Sequence, residues 1–140
     1  MTNQQILEIR SFNRFYTDLL GLLDSHLLDS PYSLAEGRIL FEIASHGECR
    51  ASDIIETLNI DKGYLSRILK KFEKEGLIER KASENDKRAS LLSLSQSGIK
   101  VFKQLDSASN QQIEKIVSRL GQPELEALVG SMTQILQILR

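Results

Sequence analysis

The sequence lacks an unbroken apolar run of the roughly 18 residues that a membrane-spanning helix needs. Its N-terminus has no basic stretch followed by an apolar one, so no secretory signal is indicated and we expect a cytoplasmic protein without a membrane partner. The single cysteine, Cys49, excludes an internal disulfide framework and fits a reducing compartment. Only two prolines interrupt the 140 residues, and the many Leu and Ile residues at helical spacing predict a mostly helical fold.

Motifs for catalysis and metal binding are also missing. The sequence has no Gly-rich phosphate loop, no Ser/His/Asp arrangement and no paired carboxylates, so neither an enzyme nor a cofactor is indicated. His26 lacks the ligand spacing of a zinc site, and His46 is more typical of a helix C-terminus. Cys49 lies near Arg50 and could act as a redox sensor if its pKa were lowered, but a buried or inert thiol is the favoured interpretation.

The net charge of −1 conceals an uneven distribution along the chain. Residues 1–60 carry 4 basic and 9 acidic side chains, residues 61–90 carry 9 and 6, and residues 91–140 carry 5 and 4. The three net charges are therefore −5, +3 and +1. Because a local positive potential attracts phosphates whatever the total charge, the middle segment is the candidate nucleic-acid surface.

Residues 61–76 predict a helix with two different faces. An apolar stripe at positions i, i+3, i+4 and i+7 must face a core, and it consists of Leu65, Ile68, Leu69 and Phe72. The opposite side carries Gly63, Arg67, Lys70 and Lys74, with Ser66 and Lys71 beside them. Asp61 is placed to cap the first turn, and Gly76 to end the helix. Such a helix fits the major groove of DNA, although a lone basic helix is more often a solvated face.

The surrounding pattern predicts five more helices and one hairpin. Before the basic helix come a long helix over residues 3–29, a second from a capping box at residues 33–36 to about Ser45, and a third over residues 51–58. After it, β-type runs at residues 77–80 and 90–94 form a hairpin with a basic tip, and two helices fill residues 95–140, the first of them ending at Gly121. A short helix, a turn, a basic helix and a hairpin in this order indicate a winged helix-turn-helix.

The terminal helices, at about residues 3–29 and 95–140, carry longer apolar faces than the winged domain at residues 33–94 can cover. The helix that starts at residue 95 would be on the order of 38 Å long at about 1.5 Å per residue. A second copy of the chain is the simplest cover for such faces. A two-fold dimer would present its reading helices to half-sites roughly 34 Å apart. In the alternative, the terminal helices pack only on each other in a monomer.

The chain resembles the MarR family of winged helix-turn-helix transcription regulators along nearly its whole length. The segments that carry the resemblance are IDKGYLSRIL at 60–69, FEKEGLIER at 72–80 and DKRASLLSLSQSG at 86–98, the last of which is similar to the family's wing. The resemblance implies a mostly α fold with a small β-hairpin and with N- and C-terminal dimerisation helices. It also implies a homodimeric repressor of a palindromic operator in double-stranded DNA, relieved by a small-molecule effector that binds between the dimer helices and the reading head.

The resemblance also implies DNA-binding positions. Ser66 and Arg67 match positions that contact bases and phosphates, and Arg88 matches a wing arginine held in place by Asp86. With Lys71 added from the cationic side of the predicted helix, the full predicted set consists of Lys62, Gly63, Tyr64, Ser66, Arg67, Lys70, Lys71, Asp86 and Arg88. Two residues depart from the family's pattern. Arg50 stands where a capping Ser or Thr is usual, and Tyr64 is larger than usual, so Tyr64 either adds a stacking or phosphate contact or packs beside the wing.

The sequence leaves two other functions open. Residues 61–67, together with residues 12–16, also resemble regulator domains that precede an N-acetyltransferase domain in some proteins. The chain would then be the regulatory or dimerisation part of a longer protein, which the reading frame beyond Arg140 would decide. A winged-helix module can also bind protein instead of DNA, and its affinity for DNA would then be no greater than non-specific.

Overall fold

The computed structural model describes residues 1–22, 24, 26–85 and 89–140. The elements follow in the order α1 (Asn3–Leu19), a 3₁₀ turn (Leu27–Asp29), α2 (Leu34–His46), α3 (Ala51–Leu58), α4 (Lys62–Lys74), β1 (Ile78–Ala82), β2 (Ser90–Leu94), α5 (Gln96–Val117) and α6 (Gln122–Leu139). This confirms the predicted mostly α class with one hairpin. Two compact units make up the chain, Met1–Ser107 and Ala108–Arg140. Among the described residues, no helix combines the length and the apolarity needed to cross a bilayer.

The first helix is shorter than the sequence predicted. A single helix was expected over residues 3–29, but α1 ends at Leu19. Gly21 adopts a φ of +61°, a left-handed conformation that an α-helix cannot contain, and Leu28 and Asp29 also have positive φ. The expected end was therefore wrong: the apolar spacing continues past Gly21, but the backbone leaves the helix there.

The next two helices begin with side-chain caps. In the predicted capping box of α2, Ser33 Oγ accepts the N–H of Glu36 at 3.2 Å, and Glu36 Oε2 accepts the N–H of Ser33 at 3.3 Å. At the start of α3, the Oδ2 of Asp53 accepts the N–H of Arg50 at 2.8 Å. Asp53 thus forms one half of a capping box, whereas Arg50 offers no side-chain acceptor to the amides of the first turn of α3.

The core of the first unit lies between α2, α3, α4 and the hairpin. All four residues of the predicted α4 stripe are buried, and Phe72 is fully inaccessible. They pack with Ile39, Leu40, Ile43, Cys49, Ile54, Leu77, Ile78, Leu92 and Leu105. Full burial of a residue such as Phe72 contributes roughly 1.5–3 kcal/mol. This packing determines which side of α4 faces the solvent.

The hairpin is antiparallel and is attached to the helical part at its base. Ile78 lies opposite Leu94, and Ala82 lies opposite Ser90, so the first strand runs two residues further than predicted. Cys49, between α2 and α3, exchanges two backbone hydrogen bonds with Leu92, at 3.0 and 2.7 Å. The second strand is thus paired on both edges, with β1 on one side and with the loop after α2 on the other.

The start of α5 packs tightly against the residues that follow α4. Ser95 donates its N–H to the Leu77 carbonyl at 2.9 Å and its hydroxyl to the Gly76 carbonyl, and it caps α5 by accepting the N–H of Gly98 at 3.0 Å. Gly98 is buried, and a Cβ built there would lie 2.0 Å from the carbonyl oxygen of Leu77. A residue with a side chain therefore cannot replace Gly98 without moving α5 away from Leu77.

The terminal helices leave their apolar faces open in the single chain. Neither α1 nor α6 contains a buried residue. The exposed apolar side chains are Leu7, Ile9, Phe12, Phe15 and Leu19 on α1, and Val129, Ile135, Leu136, Ile138 and Leu139 on α6. Pro123 lies in the first turn of α6, as predicted, whereas α5 ends at Val117, before the predicted end at Gly121. The use of these helices in dimerisation stays a prediction.

Candidate nucleic-acid interface

Helix α4 presents the predicted cationic face to solvent. Asp61 Oδ2 accepts the N–H of Tyr64 at 2.8 Å and so caps the first turn, and Gly76 has a φ of +71° just after the last turn. With the apolar stripe in the core, the opposite side of α4 is exposed. The exposed positions of the predicted set are Lys62, Gly63, Tyr64, Ser66, Arg67 and Lys70. Burial of Arg67 or Lys70 would have contradicted the reading-helix assignment, and neither residue is buried.

Tyr64 and Arg67 form a cation–π pair on this face. The guanidinium carbon of Arg67 lies 5.8 Å from the centre of the Tyr64 ring, within the range of a cation–π contact. The two residues are three positions apart, so they are neighbours on the helix surface. Tyr64 is 39% exposed. The unusual tyrosine thus contacts the arginine that the sequence assigned to base reading.

Lys71 is directed away from this exposed face. Its ammonium lies 2.9 Å from Glu36 Oε1 at the start of α2, and 5.8 Å from the centre of the Tyr32 ring. The hydrogen bond to Glu36 raises the pKa of Lys71. The pKa of Tyr32 is also raised, chiefly by burial and then by the charge of Glu75. The structure therefore brings Lys71 to α2, while the other exposed cations of the set remain on the outer side of α4.

A second ion pair, which the sequence pattern does not indicate, joins the end of α4 to the hairpin. The guanidinium of Arg80 on β1 pairs with the carboxylate of Glu73, and its Nη1 donates to Ser90 Oγ at 3.2 Å. Glu73 is thereby neutralised beside the cationic face. Arg80 and Glu73 are seven residues apart with a helix end between them, so no regular spacing indicates the pair.

Asp86 and Arg88, the two wing residues of the predicted set, lie outside the described residues. The described part of the hairpin reaches Ser83 and Ala89, which are joined by a backbone hydrogen bond of 3.0 Å. The assignment of Asp86 and Arg88 to DNA binding stays a prediction from the family resemblance.

Cys49 has the environment of a packed thiol. It is 2% exposed, and its pKa is raised, first by burial and then by the charges of Asp53 and Glu42. A redox sensor needs the opposite shift, because the thiolate is the reactive form. Within the described part of the chain, no three His, Cys, Asp or Glu side chains cluster as metal ligands would.

A cavity of about 240 Å³ lies within the first unit, between α2, the end of β2 and the first turns of α5. Ile43, Leu94, Ile99 and Phe102 form apolar walls, and Lys103 also lines the cavity. This cavity could hold a small, mainly apolar molecule that also carries a negative charge. Its walls belong to the elements that hold the base of the hairpin.

A basic helix held by its apolar stripe, preceded by a short helix and followed by a hairpin, defines a winged helix-turn-helix protein, a class that binds DNA. Residues 32–90 match the model of the MarR family, which confirms the predicted resemblance, and this segment is MarR-family sequence.

Similar proteins extend the match beyond this segment. The HTH-type transcriptional regulator BilQ of Clostridium symbiosum is 28% identical over 114 residues, which are 81% of this chain and 79% of BilQ. The structure of Streptococcus pneumoniae FabT in complex with DNA has a TM-score of 0.80 at 23% identity, covering 99% of this chain and 97% of FabT. The structure of Bordetella bronchiseptica BpsR, whose DNA binding is regulated by 6-hydroxynicotinic acid, has a TM-score of 0.70 at 18% identity, covering 94% and 98% of the two chains. The two structural similarities establish that the chain has the fold of FabT and BpsR.

Proposed function

We propose that the protein is a sequence-specific, homodimeric DNA-binding transcriptional regulator of the cytoplasm, with α4 as its reading helix and with no catalytic activity. The observation that carries the proposal is the exposure of Arg67 and Lys70 on a helix whose opposite stripe is fixed in the core. A helix held in this way can enter a major groove without unpacking the domain. The transcriptional regulators that are similar in sequence support the same function.

Within this proposal the exposed residues of α4 have different tasks. Ser66 and Arg67 contact base edges, and the cation–π contact with the Tyr64 ring supports Arg67. Lys62, Gly63 and Lys70 contact the phosphate backbone, which fixes the register of the protein on the duplex. Asp86 and Arg88 would add a wing contact in the adjacent minor groove.

A second copy of the chain would cover the exposed apolar faces of α1 and α6. Large contiguous apolar patches are rare on monomers, and both helices expose their apolar side chains. A two-fold dimer places two copies of α4 on one side of the assembly, and half-sites about 34 Å apart would then form a palindromic operator.

The cavity beside α5 is a site for an effector that relieves repression. Its apolar walls and Lys103 favour a small organic anion. BpsR, which has the same fold, is regulated by such a molecule. A ligand that spreads α2 and α5 would alter the support of the hairpin and of α4, and would bind the repressing conformation less tightly than the released one.

Two substitutions on α4 test the assignment of the reading helix. An operator is first selected from random duplexes with the parent protein. Arg67→Ala should then weaken operator binding by about 1–3 kcal/mol and relax the sequence preference, because a good base contact contributes that much discrimination. Lys70→Ala should weaken binding to all sequences evenly and reduce the salt slope by about one unit, because one phosphate contact is lost.

Lys100→Ala is the matched control, since it removes an exposed lysine from α5 and leaves α4 unchanged. Its operator affinity should stay close to that of the parent. Equal operator binding by the Arg67→Ala variant and the parent would contradict the role of α4. A parent with the same weak affinity for every duplex would favour the protein-binding alternative instead.

A further inference from the structure

Lys71 belongs to a small polar cluster that joins the last turn of α4 to the first turn of α2. We call it the α2–α4 clasp, and it consists of Tyr32, Glu36 and Lys71. The side chain of Glu36 is 14% exposed and that of Lys71 is 41% exposed, so the ion pair is partly shielded from water. The Lys71 ammonium also lies over the Tyr32 ring, at 5.8 Å from its centre. These contacts involve a residue that the charge pattern alone had assigned to the DNA surface.

The carboxylate of the clasp is fixed from two directions. Glu36 Oε2 accepts the backbone N–H of Ser33, and the other oxygen, Oε1, accepts a hydrogen bond from Lys71 at 2.9 Å. The Ser33 hydroxyl in turn accepts the N–H of Glu36, which completes the capping box. Glu36 therefore has little freedom to follow Lys71 if α4 moves. The clasp ties α4 to a rigid point on the α2 backbone.

The core and the clasp restrain α4 in different ways. Packing of the stripe from Leu65 to Phe72 determines which side of α4 faces the core, but apolar contacts are not directional and set the exact rotation about the helix axis less sharply than a hydrogen bond does. A charged hydrogen bond is directional and short. A rotation of about 20° would move a side-chain tip about 6 Å from the axis by roughly 2 Å, enough to break a hydrogen bond to a base.

We propose that Lys71 is a positioning residue for DNA reading: its ammonium fixes the rotation of α4 against α2 and does not contact DNA. The proposal rests on the proposed function, since it assumes that Arg67 reads bases. It assigns the adjacent lysines opposite tasks, because Lys70 lies about 100° away around the helix and faces the solvent.

The sign of one substitution separates this role from simple electrostatics. Glu36 is an anion close to the reading helix, so its neutralisation should strengthen DNA binding if charge alone matters. In the positioning role, neutralisation releases Lys71 and weakens binding to the operator. Glu36→Gln is the suitable change, because glutamine can still complete the capping box with Ser33.

The experiment compares Glu36→Gln, Lys71→Met, the double variant and Lys70→Met. Methionine keeps an apolar side chain beside Tyr32 and removes the ammonium. Affinities are measured for the selected operator and for a random duplex over a range of salt concentrations, and folding is checked by urea unfolding of each variant. The effect of the clasp is then the change in operator affinity relative to the change in non-specific affinity.

We expect Glu36→Gln and Lys71→Met each to weaken operator binding about fivefold, as for an ion pair that contributes about 1 kcal/mol. Both should leave the salt slope unchanged, and the double variant should bind no more weakly than either single variant. Lys70→Met should reduce the salt slope by about one unit on both duplexes. This pattern would separate a positioning residue from a phosphate contact.

A salt slope reduced by Lys71→Met, tighter operator binding by Glu36→Gln, or additive effects in the double variant would each overturn the role proposed for Lys71. If the parent discriminates between sequences and the Glu36→Gln variant binds like the parent, only the role proposed for the clasp is overturned. A parent that binds all duplexes equally overturns the proposed function, and the positioning role with it.

Discussion

Replacing Gly98 by alanine should destabilise the protein far more than an ordinary Gly→Ala change in a helix. The added methyl would lie 2.0 Å from the carbonyl oxygen of Leu77, 3.0 Å from its carbonyl carbon and 3.3 Å from Leu94 Cβ. Two of these three atoms are backbone, so a rotamer change cannot relieve the contact. The start of α5 must therefore move, and the hydrogen bond from Ser95 to Leu77 moves with it.

The expected change in the free energy of unfolding is the sum of two destabilising contributions and one stabilising contribution. Overpacking of a buried site typically destabilises by about 1–3 kcal/mol, and contact with backbone favours the upper part of that range. Loss of the Ser95–Leu77 hydrogen bond adds about 1 kcal/mol. The better helix propensity of alanine returns about 1 kcal/mol. We therefore expect the free energy of unfolding to fall by about 2–3 kcal/mol.

Urea unfolding followed by circular dichroism measures this difference, at one fixed protomer concentration for all variants. Gly130→Ala is the matched control, because Gly130 lies within α6 and a Cβ there meets no atom within 4 Å. It should raise the free energy of unfolding by up to about 1 kcal/mol. A Gly98→Ala variant as stable as the parent would refute the close approach of α5 to Leu77.

Three further predictions concern assembly, pH dependence and the reading face. Leu136→Lys places a charge on the exposed apolar face of α6 and should shift the sedimenting species from dimer to monomer. Gln134→Lys is the control and should leave the dimer intact. Sedimentation of both variants as dimers would contradict an interface formed by α6. Burial raises the pKa of Cys49 above its ordinary 9.0, so the unfolded chain loses this proton first. The contribution of Cys49 to stability should be constant below about pH 9 and be lost above it, so the urea midpoint of Cys49→Ala should fall less than that of the parent between about pH 9 and pH 10, where Tyr32 begins to contribute. Tyr64→Phe should keep operator affinity within about twofold, whereas Tyr64→Ala should reduce it about threefold or more, because the cation–π contact needs the ring and not the hydroxyl. Equal operator affinities of the two variants would contradict a role for the cation–π contact.

Residues with local causes were predictable from the sequence. The apolar stripe of α4, its Asp61 cap and its Gly76 terminator act within one helix, and all are found in the structure. The capping box of α2 and the two strands were predictable for the same reason. Errors arose where the apolar period continued past a break, as at Gly21, since hydrophobic spacing does not record the backbone conformation.

The contacts of individual charged residues were less predictable. Lys70 and Lys71 are adjacent and chemically identical, yet one faces solvent and the other pairs with Glu36, 35 positions earlier in the sequence. The pair of Arg80 and Glu73 was not predictable because it depends on how the hairpin packs against α4. Such pairs depend on the packing of whole elements, which no spacing rule along one helix describes.

Helix α1 has 17 residues, none of them buried in the single chain. Most helical stability in proteins comes from the packing of an apolar face and not from helix propensity, so a partner that covers α1 would also help it to form. Dilution should then unfold α1 and make it accessible to proteases before the winged domain at residues 33–94 unfolds. The concentration of the protein in the cell would then determine whether α1 is folded. Occupancy of its target sites would rise more steeply than in proportion to the number of copies made.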